Sequence, residues 1–295
     1  MRTFIVFLFA TAISCTPGTH RAADPISVMS FNIRYGTADD GANSWEFRRD
    51  LVGQVVQGHD PDILGVQEAL AFQIQELEAV LPDHRRLGVG REDGVAAGEF
   101  AAIYYRSDRF AVDTSGTFWL SDTPDVAGSM HWVNGITRIC TWVRLIDSDS
   151  QEGFYVFNVH LDHRSQPSRE RSVELVAQHI KGRLHDEPVI VMGDFNAGED
   201  NPAMRYLRGE IPQASSSEVT APVIQLTDSF RALHPNAEEA GTFGAWVGET
   251  SGDRIDAILV LDFAVLEAEI LYDNRDGQYP SDHFPVSARL LWHHE

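Results

Sequence analysis

Cysteine is nearly absent from this chain. Its 295 residues hold two, Cys15 near the N-terminus and Cys140 inside an apolar run. Once a leader containing Cys15 is removed no disulfide framework forms, and thiolate zinc sites, which need several cysteines at short spacing, are excluded. Lysine is scarcer, occurring once at Lys181, and 44 acidic residues against 23 basic ones leave a formal charge of -21. A field of that sign repels polyphosphates and anionic lipid surfaces at low salt, so contact with nucleic acid would need a local basic patch. Arg34, Arg48, Arg49, Arg91 and Arg138 are the candidates for one. A polytopic membrane protein is also excluded. The apolar run Phe4–Ala12 is too short to span a bilayer, which takes about 20 apolar residues.

What is present is an ordinary globular make-up, with 43% hydrophobic and 23% charged residues, 23 Gly and 13 Pro. The length suits one large domain or two small ones at about 100–200 residues each. Met1–Ile13, with Arg2 as its single charge, reads as a signal h-region, and Ala12-Ile13-Ser14-Cys15 resembles a bacterial lipoprotein cleavage box. Residues 1–23 are therefore expected to be leader and tether, and 24–295 one domain. The expected location is exported, as a cell-envelope lipoprotein held to the membrane only by a lipid on Cys15. A periplasmic or secreted protein, or a cytoplasmic chain with an apolar start, are the alternatives.

Beyond Pro25 there is no repeat, low-complexity linker or compositional break. Strand-like runs recur at Ile26–Ile33, Asp62–Gln67, Ala101–Tyr105, Cys140–Ile146, Phe154–Leu161, Val189–Met192, Ile255–Leu261 and Pro285–Leu291. Between Arg169 and Leu184, the residues Val173, Val176, Ala177, Ile180 and Leu184 mark one face of a helix; Leu51, Val52, Val55 and Val56, after an Asn43-Ser44 cap, mark another. Many short strands, several apolar on both faces, predict an α/β fold of sheets packed face to face with helices outside.

Polar residues stand at the ends of these runs. Asn32, Glu68, His160 and Asp194 end strands, Asp256 opens one, and Asp282-His283 precede the last. Any one of them alone is most simply a turn former or a cap. Together they bring carboxylates, amides and imidazoles. Oxygen-rich ligands suit a hard cation, Mg²⁺ first and then Mn²⁺ or Ca²⁺, and such an ion with two imidazoles and further acids suits phosphoester cleavage.

The ordered set Ser30-Phe31-Asn32, Gln67-Glu68, Asn158-Val159-His160-Leu161, Gly193-Asp194-Phe195-Asn196, Arg254-Ile255-Asp256 and Ser281-Asp282-His283-Phe284 resembles the signature of the endonuclease/exonuclease/phosphatase superfamily. That resemblance implies a deoxyribonuclease-like four-layer sandwich, two mixed sheets flanked by helices. It places Asn32 and Glu68 at metal-binding positions, with Asp282 joining directly or through water. Asp194 would orient the attacking water, and Asn196 would hold that water or the phosphate. His283, paired with Asp256, and His160 would be the two imidazoles, with Glu99 the acid partner of His160. Arg138 is a candidate for gripping a phosphate with two parallel hydrogen bonds, against an ordinary salt bridge. Asp162 and His163 extend the His160 motif and read as loop support. His293 and His294 read as a solvated tail, and Trp119, Trp132 and Trp142 read as core before base-stacking platform.

The expected function is a metal-dependent phosphoester hydrolase, first a nuclease-type phosphodiesterase, endonuclease or 3′-exonuclease. A phospholipid or small-phosphoester hydrolase is the alternative, and a surface binding protein keeping the fold without catalysis is a further one. The chain's partner would be its phosphoester substrate, nucleic acid included; nothing bears on oligomeric state.

Overall fold

The computed structural model describes residues 24–130, 132, 135–212 and 224–293. The expected leader and His294 lie outside the described residues. Twelve strands are formed: β1 Ile26–Asn32, β2 Ile63–Ala69, β3 His84–Leu87, β4 Phe100–Arg106, β5 Phe110–Trp119, β6 Ile139–Asp147, β7 Gly153–His160, β8 Val189–Asp194, β9 Thr227–Asp228, β10 Asp256–Leu261, β11 Phe263–Ile270 and β12 Val286–Trp292. The helices are α1 Trp45–His59, α2 Ala71–Val80, α3 Gln166–Lys181, α4 Pro202–Leu207 and α5 Ser229–Leu233.

The strands make two six-stranded mixed sheets, ordered β11-β12-β1-β2-β4-β3 and β5-β6-β7-β8-β10-β9. Each has one parallel pair, β1 with β2 and β7 with β8. Between the sheets, Val28, Ile63 and Ile103 of the first pack in one core with Val156, Ile190, Met192 and Ile258 of the second. Outside the first sheet, Val52 and Val56 of α1 and Ile74 and Leu77 of α2 join Met29, Phe31, Leu64 and Val66. Outside the second, Val173, Val176 and Ile180 of α3 and Met204 of α4 join Phe157, Val159 and Val191. Covering both faces of both sheets is why the central strands are apolar throughout, each fully buried side chain contributing about 1.5–3 kcal/mol. This is the expected four-layer sandwich.

The expected helix ending at Leu184 stops earlier. Gly182 caps α3, its N–H bonded to the Gln178 carbonyl, so Leu184 leaves the apolar stripe and is 87% exposed. At the other end Ser165 accepts from the Ser168 N–H, with a proline in the first turn fixing the entry. Ser44 does stand at the N-cap of α1, but its side chain makes no capping bond.

One polar clamp crosses the sandwich. The amide of Asn158 in β7 donates to the carbonyls of Val66 and Ala102 at 3.0 and 2.8 Å, and its oxygen accepts from Gln67 at 2.7 Å. Gly65 permits this approach, since a Cβ there would lie 3.1 Å from Asn158 Cγ and 2.6 Å from Met192 Cε.

Candidate active site

Strand pairing gathers the polar ends at one rim. Asn32 is level with Gln67 across the parallel pair, His160 is level with Asp194, and Asp256 at the start of antiparallel β10 is also level with Asp194. Val286 pairs with Ser30, which brings the preceding Asp282-His283 to the same end. Two backbone irregularities aim the side chains. The β2 to β4 register shifts between Val66 and Ala69, with Glu68 at φ 62°, and such a bulge re-aims a side chain. Gly193 has φ 145°, and a Cβ there would collide with the Val159 carbonyl.

Asn32 is the hub. Its Nδ2 donates to Glu68 Oε1 at 3.1 Å and Asp194 Oδ2 at 2.9 Å, while its Oδ1 accepts from the Arg34 N–H at 3.0 Å. In this orientation it offers the cleft a donor that bridges two carboxylates, and direct ligation of a metal by its oxygen needs the amide turned over. Asp194 Oδ1 accepts from the Asn196 N–H at 2.8 Å, and the Asn196 side chain donates to the Leu161 carbonyl at 3.0 Å. His283 Nδ1 bonds Asp256 Oδ2 at 2.9 Å, and its Nε2 lies 4.0 Å from Asp194 Oδ2. His160 Nε2 lies 3.5 Å from the same oxygen.

These contacts give the two histidines opposite charge preferences. Burial works against a charged His283, but Asp256 and then Asp194 outweigh it, so its pKa stands well above the ordinary value. His160 is pulled well below by burial and by Arg138. Asp194 is pushed up to about 7 by burial and the nearby Asp256 charge. Asp282 is raised by burial too.

Among the described residues, Glu68, Asp194 and His283 bring ligand atoms within 4.8 Å of one another. His283 Nδ1 is taken up by Asp256, and Glu68 and Asp194 are the carboxylates open to a cation, with Asp282 next to them. Oxygen donors crowded at one corner, with Asp194 and Asp282 buried and Glu68 partly so, form a set that fits a hard divalent ion. Asp282 Oδ2 lies 3.7 Å from Arg34 Nε, and Arg34 is also bonded to Asp40 at 3.0 Å through each of two nitrogens.

Three expected placements differ. Glu99 makes its short contact, 2.6 Å, with Arg91, and lies 3.7 Å from His160 Nδ1, so the acid–imidazole bond is replaced by an ion pair. Arg138 is 3% exposed, with Nη1 3.0 and 2.9 Å from the two His160 ring nitrogens and Nη2 3.0 Å from His163 Nδ1. Equal distances to both ring nitrogens place that nitrogen against the ring, so the guanidinium packs between imidazoles. Of the candidate patch, Arg48 is wholly buried and Arg49 is half-exposed, pairing with Glu76 of α2, so neither joins the site. Trp119 and Trp142 sit in or against the core, and Trp132 packs against it partly buried. Asp162 accepts the N–H groups of Arg164 and Ser165, a turn role, and His293 is exposed.

The residues stand around a cleft of about 740 Å³ that also takes in Arg34, Tyr35, Arg91, Arg164, Phe243 and Trp246. Sequence reasoning passed over Tyr35, Arg164, Phe243 and Trp246. They come from loops without periodicity, although a glycine-flanked Phe243-Gly244-Ala245-Trp246 just ahead of the Arg254-Ile255-Asp256 motif was a usable signal.

Residues 29–283 match the Endonuclease/Exonuclease/phosphatase family. The chain belongs to this family. A family member from Bacteroides vulgatus is 32% identical in a structure matching with a TM-score of 0.79 over 92% of this chain and 100% of its own. A mannosyl-6-phosphatase from Bacteroides thetaiotaomicron is 34% identical, with a TM-score of 0.77 over 90% and 100%. Nocturnin of Drosophila melanogaster is 25% identical over 89% of this chain and 46% of its own length. The CCR4-Not complex 3′-5′-exoribonuclease subunit Ccr4 of Emericella nidulans is 26% identical over 47% of this chain and 24% of its own length. The relatives thus include a phosphatase and an exoribonuclease.

Proposed function

We propose that this protein is a divalent-metal-dependent phosphomonoesterase acting on a small, sugar-sized phosphate. The observation that carries the reading is the mixed lining of the cleft, which brings the carboxylates Glu68, Asp194 and Asp282 together with the arginines Arg34, Arg91 and Arg164. A monoester dianion bound to a cation at those carboxylates also meets arginine there. A net charge of -21 works against a polynucleotide at low salt. The 34% identity to a mannosyl-6-phosphatase supports the same reading.

In the reaction Asp194, set beside Asn196 and the His283 ring, takes the proton of the attacking water. His283, kept charged by Asp256, donates from Nε2 to the charge that develops on the phosphate or leaving oxygen. Asn32 keeps Glu68 and Asp194 in register. Mg²⁺, or Mn²⁺ or Ca²⁺ in its place, would be held by Glu68 with Asp194 and Asp282 nearby and would neutralise phosphate oxygens.

Purified protein with Mg²⁺ or Mn²⁺ should release phosphate from hexose 6-phosphates and p-nitrophenyl phosphate faster than it cleaves bis-p-nitrophenyl phosphate, DNA or RNA. Faster cleavage of the diesters would sink the monoester reading and favour a nuclease, the second reading, which the likeness to the Ccr4 exoribonuclease subunit supports. No turnover of any ester would favour a binding role. The apolar start and Cys15 support export with lipid anchoring, which Cys15→Ser tests by moving the protein out of the membrane fraction.

A further inference from the structure

The loop ahead of β10 holds two successive residues other than glycine in the left-handed region, Ala245 at φ 47° and Trp246 at φ 66°. Residues with a Cβ adopt this conformation at a cost, and two in a row persist only where the surroundings hold them. The Gly244 and Ala245 N–H groups both donate to the Asp282 carbonyl, at 2.7 and 3.1 Å. A Cβ on Gly244 would lie 2.6 Å from the Phe284 ring, and Gly248 at φ 77° packs its backbone against the Tyr279 hydroxyl. The loop is thereby fixed to the segment that carries Asp282 and His283.

The indole it presents borders the cleft. Behind it the Arg48 guanidinium lies 5.1 Å from the ring centroid. Arg48 is wholly buried and donates to the carbonyls of Asn43, Ile33, Pro280 and Arg34 at 2.9, 2.6, 2.9 and 3.0 Å. A cation held by four carbonyls, among them that of Ile33 beside Asn32 and that of Pro280 two residues before Asp282, keeps the indole at a set distance from the reacting groups. Phe243, which packs edge-on against the His283 ring at 5.2 Å, closes the same side.

We propose that Trp246 is the leaving-group platform: a specificity residue on which the C–H face of a pyranose stacks while its phosphate lies in the same cleft at Glu68, Asp194 and Asp282. The assignment rests on the hydrolytic reading given above and deepens it to ring-bearing monoesters. A rigid aromatic surface recognises a flat apolar face and is indifferent to an open-chain alcohol.

The test measures kcat/KM with Mg²⁺ for mannose 6-phosphate and for glycerol 3-phosphate, in wild type, Trp246→Leu and Trp246→Phe. Loss of ring stacking in Trp246→Leu should reduce the preference for the ringed substrate by about tenfold, carried mainly by KM, whereas Trp246→Phe should keep most of it. An unchanged preference in Trp246→Leu, or an equal loss in the leucine and phenylalanine variants, would overturn the platform. If wild type cleaves oligonucleotides and no monoester, the monoester reading fails and the pyranose platform falls with it, whereas monoester turnover with an unchanged preference in Trp246→Leu overturns the platform alone.

Discussion

Asp256→Asn removes the charge that keeps His283 protonated while leaving its shape nearly intact. The bond it alters is 2.9 Å long between side chains that are 7% and 1% exposed. A charge pair about 4 Å apart at an effective dielectric of about 20 is worth about 4 kcal/mol. Its loss lowers the His283 pKa, because burial then weighs more heavily against the charged ring. Turnover at pH 7 should fall by about 10²–10³-fold, as expected for loss of a general acid. The same change removes a like charge from beside Asp194 but also weakens the His283 charge that lowers its pKa, so the two effects on that carboxyl oppose. The limb set by His283 moves acid, and the deficit shrinks as pH falls. The sign for stability is the opposite of a carboxylate's. A raised histidine pKa stabilises fully below the unfolded value of 6.5 and loses that stabilisation as pH rises through the folded one. Proton NMR titration of the His283 ring in metal-free wild type and variant reads the shift directly. An unmoved His283 titration, or a rate loss under threefold, would refute the reasoning, as would strict additivity with His283→Ala.

Glu68→Gln should raise the Mg²⁺ concentration for half-maximal activity by about tenfold, with partial recovery at high Mg²⁺; an unchanged requirement removes Glu68 from the metal site. Glu199 sits between Arg231 and Arg254, whose bonds outweigh the burial that would raise its carboxyl and leave its pKa low. Its stabilisation is present above the unfolded pKa and lost as pH falls through the folded one, so Glu199→Gln should flatten the decline of Tm on acidification, and a parallel decline would count against the network. Gly193→Ala should cost about 3 kcal/mol or more in denaturant unfolding, since the new Cβ meets backbone and not a movable side chain. A cost under about 1 kcal/mol would mean that β7 and β8 part more easily than their packing indicates.

The central strands and the polar residues at their ends were legible because strands buried on both faces read as unbroken apolar runs with abrupt polar stops. The strands β3, β5, β9 and β11 were not. β5 exposes Asp113, Thr114 and Ser115 in succession, and β11 carries exposed Glu267 and Glu269, so edge position erased the pattern that marks a strand. The helix α2 was missed because buried Gln73 interrupts its apolar stripe to accept from Gly36 and Leu70 N–H groups. In the site, motif residues converge because sheet register puts them level. Whether Glu99 meets His160 or Arg91 depends on loop geometry between distant segments, which no spacing in the chain encodes. Arg48 stood three and four residues before Leu51 and Val52, on the apolar face of α1, and that position already marked it as buried rather than as part of a basic patch.

The most direct measurement is phosphate release from a phosphomonoester as a function of Mg²⁺, for wild type and Asp194→Asn. Wild type should be activated saturably and silenced by EDTA, and Asp194→Asn should lose about 10²-fold or more at every Mg²⁺ concentration. Equal turnover in EDTA and in Mg²⁺, or an Asp194→Asn rate close to wild type, would contradict a metal-dependent hydrolysis at this rim.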